Sequence, residues 1–186
     1  GIAGGADWVI VPEYPPADGW EDQMCELLKA GRAAGRRDSI VVVSEGARDR
    51  AGKPITSAYV QHVLEDKLKV EARVTILGHV QRGGAPSAYD RWMSSLLGYE
   101  AVEELLGARP ESEPKLIGIQ HNRIVREPLM RCVSDTHAVP EAIKAGDYAR
   151  AMQLRGADFD ELLQVFEAMA RALPDREPIK RKRLAI

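Results

Sequence analysis

Apolar positions along the chain fall into two spacings: short β-rich runs, and longer stretches in which Leu, Val, Met and Ala recur every three or four residues. Trp8–Val11 reads as a short buried strand, stopped at Pro12 and followed by the turn-rich segment Tyr14-Pro15-Pro16-Ala17-Asp18-Gly19. Asp18 with Glu21 is a candidate cap for a helix carrying Met24, Leu27, Leu28 and Gly31 at helical spacing. Ile40–Ser44 is apolar on both faces, the pattern of a strand covered by helices on each side. After a polar turn over Asp49–Lys53, Thr56 or Ser57 starts a helix with the stripe Val60, Val63, Leu64 and Leu68. Val74–Leu77 reads as the next buried strand, and a helix follows through Leu97, where Gly98 interrupts the pattern. The loop Arg109–Lys115 leads to Leu116–Gln120 and Arg123–Arg126, a candidate hairpin turning at His121-Asn122. From Asp135 the chain reads as mostly helical, ending in the amphipathic run Phe159–Leu173 and a Pro-rich, basic linker. The expected fold class is therefore α/β: a parallel-rich sheet flanked by helices, with a helical C-terminal tail.

Composition narrows the function classes. The 186 residues carry a formal net charge of −2, which gives no general attraction to nucleic acid or membrane. The basic run Lys180-Arg181-Lys182-Arg183 lacks interleaved aromatics and reads as solvated linker. Cys25 and Cys132 have no metal-ligand spacing, and two cysteines in a chain of this length suit a reducing, cytoplasmic compartment. No apolar run approaches the roughly 18 residues of a membrane span.

The most informative stretch is Leu77-Gly78-His79-Val80-Gln81-Arg82-Gly83-Gly84-Ala85-Pro86-Ser87-Ala88-Tyr89-Asp90-Arg91. It places an imidazole, a guanidinium and a glycine pair after the expected Val74–Leu77 strand. In open α/β sheets ligands bind outside the carboxyl ends of the strands. Arg offers a planar fork of donors to phosphate, and glycine lets backbone approach closely. Ser87 with Asp90 has the form of a capping box at the next helix. Glu45 directly follows the Ile40–Ser44 strand, so the same topology puts it on the sheet edge expected for His79. A carboxylate can accept from two hydroxyls and an imidazole can bridge hydroxyl and phosphate, which suits a phosphorylated polyol. A solvated Glu at a strand end and a core His bonded to a carbonyl are the plainer readings of each residue alone.

The segment from Gly78 to Arg91 resembles the signature of the ATP-dependent 6-phosphofructokinase family. The similarity extends over Gly4–Glu13, Ile40–Ala47 and Glu71–Thr75. Trp20–Cys25 and Arg123–Met130 look like the duplicated, eukaryote-type form. The resemblance implies transfer of the γ-phosphoryl group of MgATP to the 1-hydroxyl of fructose 6-phosphate. It also implies that Glu45 binds sugar hydroxyls while His79 and Arg82 hold the sugar phosphate. Arg73 opens the expected strand at the end away from His79, roughly 17 Å distant for five extended residues. By itself it reads as a salt-bridged strand end; the resemblance implies that it reaches a neighbouring subunit's substrate in a homo-oligomer, expected to be a tetramer. In bacterial members a glycine pair with its following acid, and a basic cluster, line a nucleotide effector site. This maps onto Asp7, Arg36 and Arg37, although Ala34 stands where the cluster usually has its first Lys. Surface charge is the preferred reading of the two arginines, with the effector site as the alternative.

Read this way, residues 1–80 belong to the sugar-phosphate lobe, 81–134 return towards the nucleotide lobe, 135–173 are helical, and 174–186 are linker and the start of a second half. Neither GxGxxG nor GxxxxGK[ST] occurs; the resemblance implies that the family's catalytic base and its magnesium and ATP contacts lie in other sequence, and the isolated chain is expected to be inactive. Two alternatives stay open: a regulatory half that binds a fructose bisphosphate effector, and a non-catalytic assembly module. Pyrophosphate in place of ATP as phosphoryl donor is a third.

Overall fold

The computed structural model describes residues 1–170. In chain order its elements are β1 (Trp8–Ile10), α1 (Trp20–Ala33), β2 (Val41–Val43), α2 (Ser57–Leu68), a 3₁₀ turn at Gly78–Arg82, α3 (Ala88–Gly107), β3 (Lys115–Gln120), β4 (Arg123–Pro128), α4 (Leu129–Lys144), α5 (Tyr148–Arg155) and α6 (Ala157–Ala170). Among the described residues they form two compact units, one comprising Gly1–Val74 with residues 146–170, the other Thr75–Ala145. Among the described residues no helix is long and apolar enough to cross a membrane.

The first unit is built on a parallel pair in which Trp8, Val9 and Ile10 of β1 lie opposite Val41, Val42 and Val43 of β2. Strand side chains alternate between faces, and here both faces are used. Ile10, with Trp8, Val41 and Val43 beside it, packs into the cluster of Trp20, Met24, Cys25 and Leu28 from α1 and Val60 and Val63 from α2. Val9 and Val42 turn the other way, onto Ala6 and onto Phe166 and Ala170 of α6. The uninterrupted apolar runs of the two strands follow from this double cover. The Trp20 and Tyr59 rings meet at a tilt, centroids 6.2 Å apart, between α1 and α2, and the Tyr59 hydroxyl donates to Glu21 at 2.8 Å. That bond stabilises the protonated phenol and, with burial adding to it, raises the Tyr59 pKa. Burial likewise raises the Cys25 thiol.

The second unit holds α3, the β3–β4 hairpin and α4. The hairpin is antiparallel, pairing Lys115 with Pro128 through to Gln120 with Arg123. Its two-residue loop sets both His121 and Asn122 at positive φ, 51° and 60°, the conformation that matches strand twist in a tight hairpin. A charged seam joins helix to hairpin: Arg126 pairs with Glu100 and Glu104, and Lys115 with Glu104 at 3.1 Å. Lys115, with Arg126 beside it, holds the Glu104 carboxyl below its usual range.

Several sequence expectations are corrected. Val74–Leu77 is neither a strand nor buried; Ile76 is 84% exposed. A strand needs a neighbour for its backbone groups, and among the described residues none pairs with this segment. The α1 N-cap is Gly19, at φ 77°, with no side-chain bond; Asp18 sits one residue too early. Gly98 does not end a helix, because α3 runs unbroken through it; one interior glycine costs only about 1 kcal/mol relative to Ala. Helix α4 begins at Leu129, ahead of the expected Asp135. The expected linker and the basic run at 180–183 lie outside the described residues.

Candidate functional site

Glu45 stands on a turn fixed by its neighbours. Ser44 hangs from β1, with its amide and hydroxyl donating to the Ile10 carbonyl at 3.0 and 2.7 Å. The Ala47 amide closes the turn onto the Ser44 carbonyl at 3.2 Å, and Gly46 supplies the required φ of 79°. Glu45 is left exposed at the carboxyl end of β2, its side chain without a partner among the described residues. This is the strand-tip placement expected from the sequence.

His79 and Arg82 occupy the 3₁₀ turn. Gly78 at φ 54° and Gly83 at φ 100° bracket it, and the Val80 and Gly83 amides donate to the Leu77 and Val80 carbonyls. In a 3₁₀ helix residues three apart eclipse, so His79 and Arg82 share one side of the turn. Both are exposed, and neither side chain has a hydrogen bond or ion pair among the described residues. The pair thus stands on a glycine-bracketed turn rather than on the end of a strand. Downstream the capping box is complete: the Asp90 amide donates to Ser87 Oγ at 3.3 Å, and the Ser87 amide donates to Asp90 Oδ2 at 2.7 Å. Glu45 belongs to the first unit, and His79 and Arg82 to the second. Arg73 is exposed and pairs with Glu71 at 3.0 Å.

Asp7, Arg36 and Arg37 do come together. Asp7 is buried; one carboxylate oxygen accepts from the Ile40 amide at 2.9 Å and the other from the Arg36 guanidinium. Its own amide donates to the Ile40 carbonyl at 2.8 Å. With Arg37, Asp38, Ile2 and Ile40 these residues line an open pocket of about 380 Å³, completed by Phe166 and Met169 of α6.

Sequence reasoning missed one buried pair. Glu13, just past β1, is buried and accepts from Arg155 of α5 at 2.8 Å. The Pro12-Glu13 sequence signals a strand stop, but nothing local marks a partner 142 residues away. Among the described residues no cluster of three or more His, Cys, Asp or Glu could hold a metal ion.

The first unit is thus a parallel strand pair with an exposed carboxylate at one strand tip, and the second carries an exposed His–Arg turn between glycines. The Phosphofructokinase family profile matches residues 1–105. The chain is 46% identical over 176 residues to the liver-type ATP-dependent 6-phosphofructokinase of Homo sapiens, covering 95% of this chain and 23% of that protein. It is 47% identical over 161 residues to the ATP-dependent 6-phosphofructokinase of Aspergillus niger, covering 86% of this chain and 21% of the relative. The solved phosphofructokinase from Saccharomyces cerevisiae superposes with a TM-score of 0.86 at 46% identity, over 91% of this chain and 22% of the other. The chain belongs to the phosphofructokinase family. It spans about a quarter of the length of these relatives.

Proposed function

We propose that this chain forms the substrate side of a 6-phosphofructokinase, a cytoplasmic glycolytic enzyme that phosphorylates fructose 6-phosphate with MgATP. Glu45 binds sugar hydroxyls, His79 and Arg82 hold the sugar phosphate, and Arg73 reaches the substrate of a neighbouring subunit in a homo-oligomer. ATP and magnesium supply the phosphoryl group and neutralise its charge; the residues named here position the acceptor, on which such transfer depends. In this reading residues 1–80 serve the sugar lobe and 81–134 return towards the nucleotide lobe, and the chain alone is inactive.

The observation that carries the reading is the His79–Arg82 turn, where two phosphate-competent donors share one side with no internal partner. Replacing Arg82→Ala in the complete enzyme is expected to weaken fructose 6-phosphate binding by about 1.5–3 kcal/mol, the worth of a charge-assisted bond. Substrate titration measures it, and unchanged affinity sinks the assignment. Arg73→Ser is expected to lower substrate affinity in the oligomer while leaving the melting temperature in place; equal affinity excludes the cross-subunit role. Asp7, Arg36 and Arg37 are assigned to an anionic effector, supported by their convergence on one pocket.

A further inference from the structure

The buried pair of Glu13 and Arg155 lies behind the turn that carries Glu45. Arg155 is the last residue of α5, and Ala151, four residues earlier on the same helix face, is sealed from solvent. The Arg155 Nε and Nη2 both donate to one oxygen of Glu13, at 2.8 and 2.5 Å. Glu13 is the third residue of the turn Val11–Tyr14, closed by the Tyr14 amide on the Val11 carbonyl at 3.3 Å. Residues beside it in the chain hold Glu45. Ser44 hangs by its amide and hydroxyl from the Ile10 carbonyl, and Pro12 lies against Gly46, where an added Cβ would stand 3.8 Å from Pro12 Cγ. Glu45 is thus flanked on both sides by residues anchored to the end of β1, and that end is tied to α5 by an ion pair. Burying a carboxylate is costly, and packed hydrocarbon of similar volume often holds two elements together as well or better. What the two-donor fork adds is a defined position for the chain it grips.

We propose that Arg155 is a positioning residue for Glu45: its grip on Glu13 sets the end of β1, and with it the place at which the strand-tip carboxylate meets the sugar hydroxyls. The inference deepens the substrate reading above and rests on it. Arg155 acts through Glu13 and touches no substrate. Hydroxyl contacts that do no chemistry are made alike in ground and transition states, so loosening Glu45 raises KM for fructose 6-phosphate and leaves kcat in place.

The test is steady-state kinetics of the complete enzyme. Arg155→Lys keeps the charge but loses the fork, and is expected to raise KM for fructose 6-phosphate about five-fold, with kcat and the KM for ATP unchanged. Glu13→Gln, which keeps the shape and an acceptor oxygen, should raise it less; should Arg155→Lys fail to assemble, this variant carries the same comparison. Glu45→Ala should raise the same KM, and on that background Arg155→Lys should raise it no further. Hydrogen exchange at the Ser44 and Ala47 amides should quicken in Arg155→Lys, while the Val60 amide of α2 keeps its rate. A structural role alone would lower the melting temperature and the yield of active enzyme without moving KM. If Glu45→Ala raises KM while Arg155→Lys leaves it unchanged, or if the two effects multiply, the positioning role is overturned and the substrate reading stands. If Glu45→Ala leaves KM unchanged, the Glu45 reading falls and this inference with it.

Discussion

The two units bury their apolar residues to very different degrees. In the first, both faces of the β1–β2 pair are covered, and Met24 and Ile10 are sealed almost completely. In the second, Met93, Val139 and Ala142 are the buried hydrophobics among the described residues, while α3 exposes Trp92, Tyr99, Val102, Leu105 and Leu106. Those exposed positions fall on one broad arc of α3, and the opposite side carries the buried Met93 and also Glu100 and Glu104, which pair with Arg126 of the hairpin. The contrast shows that the candidate ligand residues are positioned by different means. Glu45 is placed by a packed sheet whose turn is fixed by Ser44 and Gly46. His79 and Arg82 are placed by short-range backbone bonds and left-handed glycines in a unit held largely by a charged seam and a hairpin.

If that contrast is real, equivalent truncations must differ sharply between the units. Met24→Ala, at a fully buried position, is expected to destabilise the first unit by about 2–5 kcal/mol, the range for cavity-forming changes. Leu105→Ala, at a site 75% exposed, should change stability by less than about 0.5 kcal/mol. Chemical denaturation of the two variants reads this directly, and comparable losses would abolish the distinction. The next largest effect is expected at Arg155. Its removal by Arg155→Ala strands the buried Glu13 carboxylate, but Arg155 is itself half exposed, so solvent moderates the loss. A cost of about 2 kcal/mol, below the range for fully enclosed pairs, is expected. Glu13→Gln with Arg155→Ala together should recover part of it, and a double variant no better than the single would assign the loss to packing.

Much of this was legible because the signals are local. Periodicity located β1, β2, α1 and α2, and Thr56 caps α2 as read, its hydroxyl accepting from the Tyr59 amide. Ser87 with Asp90 announced the start of α3, and His121-Asn122 announced the hairpin loop. The failures are equally physical. Val74–Leu77 has a strand's composition, but strand formation depends on a partner that composition does not specify. The Asp18–Glu21 signal was outweighed by Gly19, whose left-handed backbone starts α1 without a side-chain cap. Glu13–Arg155 and the packing of Phe166 against Ala6 join residues far apart in sequence, where no spacing rule applies. Among the candidate site residues, Asp7, Arg36 and Arg37 had only a resemblance behind them, and the structure gathers these three around one pocket.

A smaller loss than those at Met24 and Arg155 tests the second unit where it is most ordered by local chemistry. Ser87→Ala removes the N-cap of α3 and should cost about 1 kcal/mol. The Ser87 hydroxyl and amide hold the Asp90 carboxyl below its ordinary range. A carboxylate with a depressed folded-state pKa contributes stability above its unfolded value of about 3.9, and loses it as pH falls through the folded value. Glu104, held low by Lys115 and Arg126, titrates in the same direction. Acidification should therefore loosen the start of α3 and its seam with the hairpin together. Amide protection at residues 88–92, corrected for intrinsic exchange, should fall in the parent as pH drops below the ordinary carboxylate range. In Asp90→Asn the same amides should start less protected and change less with pH. An identical pH profile in parent and variant would show that the capping box contributes nothing to the order of α3, and that the helix is held by the hairpin alone.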